Sequence, residues 1–300
     1  MSTARTALRQ HGRIFSLANA LLPHVYAERV ETLYAFCRYV DDLADNARDF
    51  AAAHGALDAV RSALLTNQTD DPTVQALLDL CRQTVLPKFA ALTLVEGVVR
   101  DLSVVRIASE PELLDYAWCV AGTVGVMMCA VLDVRDPRAI PFAIDLGIAM
   151  QLTNISRDVG SDARLGRRYL PATWVGDVAP EAIVMPNEMQ QAILRKGTRR
   201  TLELAEIYYR SGESGLGYLP WRARLAILAA ARMYRAIGQQ VAQANYCSWD
   251  RRAALGLGEK CLHVARAVGV FLITPRIHRR DVPHDPCLKG AQFVGSNVHD

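Results

Sequence analysis

Apolar residues recur every three to four positions along almost the whole chain, and no run alternates with the two-residue period of a half-buried strand. The spacing predicts helices over 3–21, 26–48, 50–66, 72–85, 88–107, 110–131, 137–160, 187–212, 219–244 and 248–274. Breaks fall where turn formers cluster: Pro23, Thr69-Asp70-Asp71-Pro72, Ser109-Glu110-Pro111 and 133–137. Ser109 reads as an N-cap with Pro111 in the first turn, and Asp136 before Pro137 does the same. The segment 160–186 is loop-rich, with Gly166, Pro171, Gly176, Pro180 and Pro186. From Pro275 onward the pattern loses its period, which predicts a poorly ordered tail. With no linker, repeat or low-complexity tract, the chain reads as one all-α domain over 1–274 and a tail over 275–300.

Two polar stripes cut across these apolar helices. Tyr34, Arg38, Asp41 and Asp45 follow at i, i+4, i+7 and i+11, and Gln151, Asn154, Asp158 and Asp162 at i, i+3, i+7 and i+11. Each series traces one helical face. The surroundings are Leu33, Ala35, Phe36 and Val40 in one case, and Ile148, Ala149, Met150, Leu152 and Ile155 in the other. A polar stripe so placed must find partners or line a wet cavity. Within each stripe two carboxylates stand four residues apart, where they repel each other and favour a divalent cation. Hard oxygen ligands suit Mg²⁺, which takes one or two protein carboxylates plus substrate phosphate oxygens. Two such stripes, far apart in sequence, predict two helices facing each other across a diphosphate. One acidic pair alone would read as a solvated helix face; amide, guanidinium and phenol groups in register with both pairs argue against that.

Composition narrows the classes. The hydrophobic fraction of 51% with only 7% aromatics favours helices around a large core, and a net charge of +3 is too small to argue for nucleic acid. The seven cysteines (37, 81, 119, 129, 247, 261 and 287) show no CxxC, which predicts reduced thiols rather than disulfides or zinc. Residues 1–13 are polar and basic, without the apolar run of a signal peptide. The apolar stretches near 117–134 and 139–152 are interrupted by Asp, Arg, Pro and Gly and read as too broken to span a bilayer, so a cytoplasmic or peripheral protein is expected. The seven histidines lack zinc-site spacing, and Gly256-Leu-Gly258-Glu-Lys260 lacks the full phosphate-loop signature. Neither a nucleophile elbow nor a Rossmann fingerprint is present.

The string Tyr34-Ala-Phe-Cys-Arg38-Tyr-Val-Asp41-Asp42-Leu-Ala-Asp45, then Gln151-Leu-Thr-Asn154-Ile-Ser-Arg157-Asp158-Val-Gly-Ser-Asp162 and Gly166-Arg-Arg-Tyr169-Leu-Pro171, resembles the squalene/phytoene synthase family, bacterial phytoene synthases most of all. The resemblance runs from His11-Gly-Arg-Ile-Phe15 through Gly122-Thr-Val-Gly125 to Arg232-Met-Tyr234 and Asn245-Tyr246. It implies an all-α isoprenoid (terpenoid) synthase fold with a central cavity. The implied reaction is Mg²⁺-dependent (Mn²⁺ as substitute) head-to-head condensation of two geranylgeranyl diphosphates to phytoene, in carotenoid biosynthesis, without NADPH. By the same resemblance Asp41, Asp45, Asp158 and Asp162 are metal ligands, and Arg38 and Arg157 contact phosphate. Gln151 and Asn154 hydrogen-bond phosphate or metal-bound water. Tyr34 and Tyr169 either bind diphosphate oxygens or face a carbocation, and Tyr234 and Arg251 are further diphosphate contacts. Small residues around Gly122–Gly125 either let prenyl chains lie against a helix or serve close helix packing. Water must be kept from the cations. A product without water solubility implies peripheral membrane contact. Oligomeric state is not readable.

Two departures bear on this reading. The family's second motif carries Glu where this chain has Ser161, which predicts a weakened metal site with activity reduced or altered. Gly12 and Ile14 stand where some members have hydroxyl residues. A C15-using dehydrosqualene- or squalene-type synthase remains the alternative, with a head-to-tail prenyltransferase and a non-catalytic family member behind it.

Overall fold

The computed structural model describes residues 13–45 and 49–292. His11, Gly12 and the first part of the helix expected over 3–21 lie outside them. The helices are α1 (Arg13–Asn19), α2 (His24–Asp45), α3 (Phe50–Thr66), α4 (Pro72–Gln83), α5 (Lys88–Val99), α6 (Glu110–Ala117), α7 (Thr123–Val131), α8 (Ala139–Arg164), α9 (Ala172–Val175), α10 (Pro180–Val184), α11 (Glu188–Ser214), α12 (Trp221–Gln243) and α13 (Leu257–Ile273). Among the described residues there is no strand, only an isolated parallel bridge between Arg106 and Arg168.

Local chemistry sets the helix starts. Asp71 accepts from the Thr73 and Val74 N–H groups, and Ser109 from Glu112. Asn187 and Gln190 close a capping box at the start of α11. One π-turn, Trp118–Gly122, joins α6 to α7. The continuous stretch Glu110–Val131 and helix α8 are long and apolar enough by composition to cross a membrane, contrary to the reading of broken runs; 72% and 61% of their most apolar windows are buried inside the protein.

Helix α8 is the axis. It packs along α11 and also against α7 and α12. Its buried side includes Ile144, Ile148, Ala149, Leu152, Ile155 and Val159. Helix α2 buries Val30, Leu33, Phe36, Val40 and Ala44 on one stripe. The neighbouring stripe, one residue further along, carries Tyr34, Arg38, Asp41 and Asp45, so burying the first fixes where the second faces.

Three expected boundaries move. Helix α8 continues past 160 to Arg164, because Gly160 sits inside it rather than ending it. A Cβ there would stand 2.2 Å from the Trp249 carbonyl oxygen, so only glycine lets the 248–250 backbone lie against the helix. That segment donates nothing to a helix of its own, and α13 begins at Leu257 instead of 248. Helix α5 stops at Val99; after a short turn, Val105 and Ile107 exchange backbone bonds with Arg168 (Arg168 N to Val105 O 3.0 Å, Ile107 N to Arg168 O 3.1 Å). That pairing withdraws the last residues of the expected helix 88–107.

The tail read as poorly ordered returns to the body over 275–292. A 3₁₀ turn covers Pro275–His278, the Tyr218 hydroxyl donates to the Val282 carbonyl at 3.3 Å, and Lys289 pairs with Asp115 at 2.7 Å. Periodicity could not find this strap because its contacts are scattered single groups, polar ones and the isolated Ile277 and Leu288, not a continuous apolar face.

Candidate active site

Helices α2 and α8 both contribute walls to one cavity of about 640 Å³, a size suited to small-molecule ligands. One end of it is polar. Tyr34, Arg38 and Asp41 come from α2, Gln151, Asn154 and Arg157 from α8, Tyr234 from α12, and Arg252 from the segment before α13. Apart from Asn19 and Lys260 the rest is apolar, lined by Val120 and Ala121 of the π-turn, by Val124, Gly125 and Met128 of α7, and along α8 by Phe142, Ala143, Leu146 and Met150.

Two atoms at the polar end have unspent capacity. Arg38 Nε and Asn154 Oδ1 are buried and have no hydrogen-bond partner. Asn154 donates its amide to Gln151 Oε1 at 3.2 Å, which orients both groups, and the Arg38 guanidinium is held by Asp42. An unmet buried donor and an unmet buried acceptor on residues lining one cavity suit a polar ligand group or its bound water.

Of the four aspartates, Asp41 alone lines the main cavity. Burial, then the neighbouring Asp45 charge, push its carboxyl up to about 7 against the opposing pull of Arg38. Asp162 lines a separate small cleft with Arg167 and Tyr169. Its carboxyl is held well above the usual range by burial, by Asp158 and by Asp101 and Asp45. Asp45 therefore acts on acids of both helices, and the two walls share one electrostatic field. Asp158 behaves differently. Burial works upward on it, but hydrogen bonds from Arg157 (Nε to Oδ1 2.9 Å) and Arg252 (Nε to Oδ1 2.6 Å, Nη2 to Oδ2 3.1 Å) outweigh that and hold it below its ordinary value.

Among the described residues no three His, Cys, Asp or Glu side chains converge closely enough to cage a metal. The donor set nevertheless fits Mg²⁺, which takes few protein carboxylates and completes its shell with water and phosphate oxygens. Asp41 and Asp162 gain most from a cation, since each is a half-buried acid beside other acids.

Tyr169 is placed otherwise than expected. Its hydroxyl donates to Asp101 at 2.7 Å, its ring stacks on Tyr116 at 4.8 Å, and it lies outside the main cavity. It positions Asp101 rather than facing the cavity. Tyr34 does line the cavity, with its hydroxyl pushed up to about 12 by burial and by Tyr234. Arg251 is exposed and outside the lining, whereas its neighbour Arg252 lines the cavity. Ser161 is exposed, and its hydroxyl donates to the Asp158 carbonyl at 2.9 Å, away from the acids.

Several site residues escaped the sequence reading. Arg167 donates to Asp45 at 2.8 Å and so ties the loop after α8 to the end of α2. The Gly166-Arg167-Arg168-Tyr169 string held that signal, although its second arginine is structural: buried Arg168 donates to the Ile107 and Leu170 carbonyls. Asp101 accepts from Tyr116 at 2.9 Å as well as from Tyr169 and is raised by burial. Phe15 packs between Tyr34 and Tyr234, with centroids 5.7 and 5.6 Å away. Lys260, in a loop motif set aside for want of a full signature, is buried and lines the cavity.

Known proteins resemble this chain over most of its length. The phytoene synthase of Rhodobacter capsulatus is 34% identical over 295 residues, covering 94% of this chain and 87% of the relative. The 15-cis-phytoene synthase of a Paracoccus species is 35% identical over 270 residues, covering 86% and 87%. A ligand-bound dehydrosqualene synthase superposes with a TM-score of 0.79 at 25% identity over 90% of this chain and 95% of its own. A squalene synthase from Alicyclobacillus acidocaldarius, 22% identical, superposes with 0.70 over 81% and 93% and shares the fold. The sequence profile of the squalene/phytoene synthases matches residues 8–259, and with relatives this similar over most of its length the chain belongs to the squalene/phytoene synthase family.

Proposed function

We propose that this enzyme joins two geranylgeranyl diphosphates head to head, through a cyclopropylcarbinyl diphosphate, to give 15-cis-phytoene. The observation that carries the reading is a single cavity with an acid- and arginine-bearing end and a long apolar remainder. Relatives of the same name support it. The first substrate loses diphosphate as its C1–O bond breaks. The allylic cation alkylates the double bond of the second substrate, and loss of a proton closes the cyclopropane. Departure of the second diphosphate starts a rearrangement, and a final proton loss gives the central triene.

Asp41, Asp45 and Asp162 are the side chains that would hold Mg²⁺, with Asp158 the least available because Arg157 and Arg252 already neutralise it. Bound there, the metal would offset the negative charge that develops on departing diphosphate. Arg157, Arg252 and the free Nε of Arg38 bring positive charge to the same end, and Asn154 and Gln151 orient phosphate or water without adding charge. The Tyr34, Phe15 and Tyr234 rings border that end and can face the cation. The apolar walls keep water from it.

Incubation with geranylgeranyl or farnesyl diphosphate, with and without Mg²⁺ and NADPH, tests the reading. Phytoene without NADPH is the expected product. A C30 hydrocarbon as the only product would overturn the choice of substrate.

Peripheral attachment to the cytoplasmic face of an anionic membrane belongs to the same proposal, since the product is a hydrocarbon. Supporting it, Trp221, Leu272 and Ile273 are 60%, 75% and 79% exposed, beside exposed Arg222 and Arg276. Arg224, one turn after Trp221, contacts His278 Nδ1 at 2.6 Å, and His278 Nε2 contacts the Phe271 carbonyl at 2.8 Å, which holds the two helix ends together. Aromatic, aliphatic and basic groups in one patch suit a lipid interface. Co-sedimentation with anionic vesicles should fall sharply in a Trp221→Ser, Leu272→Ser, Ile273→Ser variant; undiminished binding would dismiss this surface.

A further inference from the structure

One aromatic ring in the apolar part of the cavity has an unusual backing. Phe142 of α8 lines the cavity and clusters with Cys129 and Ala139, which line it too. Behind it, the Tyr218 ring stacks at 5.9 Å and the His284 ring meets it edge-on at 4.9 Å. His284 belongs to the C-terminal strap, 142 residues further along the chain. It is held by Asp145, one turn along α8 and fully buried. Asp145 Oδ2 accepts from His284 Nε2 at 2.7 Å and from Ser211 Oγ at 2.5 Å, and Oδ1 accepts from the Gly290 N–H at 3.1 Å. Three groups thus meet on one buried carboxylate on the far side of the helix that bears the polar stripe. His284 Nδ1 is buried and has no partner, so the ring's position comes from Asp145 and its contact with Phe142.

The spacing along α8 gives this end a meaning. Fifteen residues separate Phe142 from Arg157 at the polar end, roughly 22 Å of helix at about 1.5 Å per residue. An extended isoprene unit adds about 5 Å at ordinary bond lengths. A C20 tail anchored by its diphosphate therefore reaches the Phe142 ring, a C15 tail stops about one unit short of it, and a C25 tail runs into it. We propose that Phe142, braced by Tyr218 and by His284 of the C-terminal strap, is the floor that sets the prenyl length this cavity accepts. The inference rests on the proposed head-to-head reaction and identifies the side chains that select its substrate. His284 acts through Phe142 and is a positioning residue. Ring packing resists compression, so a braced floor discriminates more sharply than one backed by empty space.

The test compares kcat/KM for C15, C20 and C25 prenyl diphosphates in wild type and in Phe142→Ala, Phe142→Leu, Phe142→Trp, His284→Ala and His284→Gln. The C25/C20 ratio should rise roughly tenfold or more in Phe142→Ala and by a smaller factor in Phe142→Leu and His284→Ala. The C15/C20 ratio should rise in Phe142→Trp, on the scale by which pockets discriminate neighbouring hydrocarbon lengths. His284→Gln keeps a donor for Asp145 but loses the ring, and it should open the floor while keeping wild-type melting. Such ratios do not depend on how much of a preparation is folded, so a purely structural role would leave them unmoved. If His284→Ala fails to fold, the Phe142 variants, which leave the strap's bonds intact, carry the test. Wild type forming phytoene with all ratios unchanged, to within about twofold, would overturn the floor assignment alone. No 1′–1 product from any length would overturn the functional reading, and this inference with it.

Discussion

Asp41→Asn is expected to stabilise the metal-free protein while abolishing its activity. Asp41 is a half-buried carboxyl raised from 3.8 to about 7, first by burial and next by Asp45. The sign follows from linkage. Below pH 4 both the folded and unfolded states hold the proton, and the group contributes nothing. Between about pH 4 and 7 the unfolded chain releases the proton and the folded protein keeps it, so stability falls as pH rises; above 7 the loss levels off. At ~1.4 kcal/mol per pH unit the ceiling is about 4 kcal/mol. Asp41 opens onto the cavity and Arg38 offsets part of its charge, so about 1–2 kcal/mol is the expected penalty. Removing it should raise the melting temperature by about 2–5 °C at pH 8.

The assay is thermal denaturation of wild type and Asp41→Asn with EDTA at pH 4.5, 6 and 8, repeated at pH 8 with Mg²⁺ and a thio-diphosphate analogue. The variant's advantage should be near zero at pH 4.5, grow to pH 8, and reverse once metal and analogue stabilise the wild type alone. A variant less stable than wild type at pH 8 in EDTA, or an advantage that does not change with pH, would refute the argument.

Three further outcomes follow from the site. Arg252→Ala should cut kcat/KM by about 10- to 100-fold through loss of a charge-assisted pair at Asp158, whereas Arg251→Ala should stay within about threefold; equal effects in steady-state kinetics would contradict the placement of Arg252 at the cavity. Gly160→Ala sets a methyl group 2.2 Å from the Trp249 carbonyl and should cost about 2–3 kcal/mol in urea denaturation; a neutral result would mean that the 248–252 segment is not pressed against α8. Ser161→Glu should leave the Mg²⁺ concentration for half-maximal rate within about threefold, because the side chain points to solvent; a large gain in metal affinity would show that position 161 reaches the acids after all.

Much of this site was legible because helical phase is legible. On α2 the buried stripe from Val30 to Ala44 fixes the neighbouring face, so Tyr34, Arg38 and Asp41 fall at the cavity as their spacing requires. The same holds for Gln151 and Asn154 on α8, whereas Asp158 and Asp162 of that stripe fall outside the main cavity and Arg157, expected from the resemblance rather than from the spacing, lines it. Residues outside a regular period were not legible. Arg251 and Arg252 are adjacent, and choosing between them needs the path of an irregular segment that the pattern read as helix. Asp101 stands alone in a turn and becomes part of the site only through Tyr116 and Tyr169, from two other elements. Arg167 reaches Asp45 across 122 positions, and His284 reaches Asp145 across 139. Single polar contacts over such distances leave no periodic trace.

Both acid stripes also end where helices end. Asp41 and Asp45 occupy the last turns of α2, and Asp158 and Asp162 the last turns of α8. Unpaired carbonyls give a helix C-terminus partial negative charge, which favours cations and opposes carboxylates. Helix propensity and surface electrostatics alone would place lysine or arginine there. The chain instead brings two acid-bearing C-termini together and compensates only part of the charge, with Arg167 on Asp45 and Arg157 and Arg252 on Asp158. Asp41 and Asp162 are left as raised, half-buried acids. Local rules are broken at one place in an otherwise consistent helical protein, as expected where function rather than stability chose the residues. A divalent cation with its diphosphate would reverse that penalty: the carboxylates and both helix ends would favour the metal, and the nearby guanidinium groups would favour the phosphate oxygens. On the proposed reaction, the same electrostatics that weaken the metal-free protein would bind the reacting group, and the apolar stretch of α8 from Met150 back to Phe142 would hold its hydrocarbon.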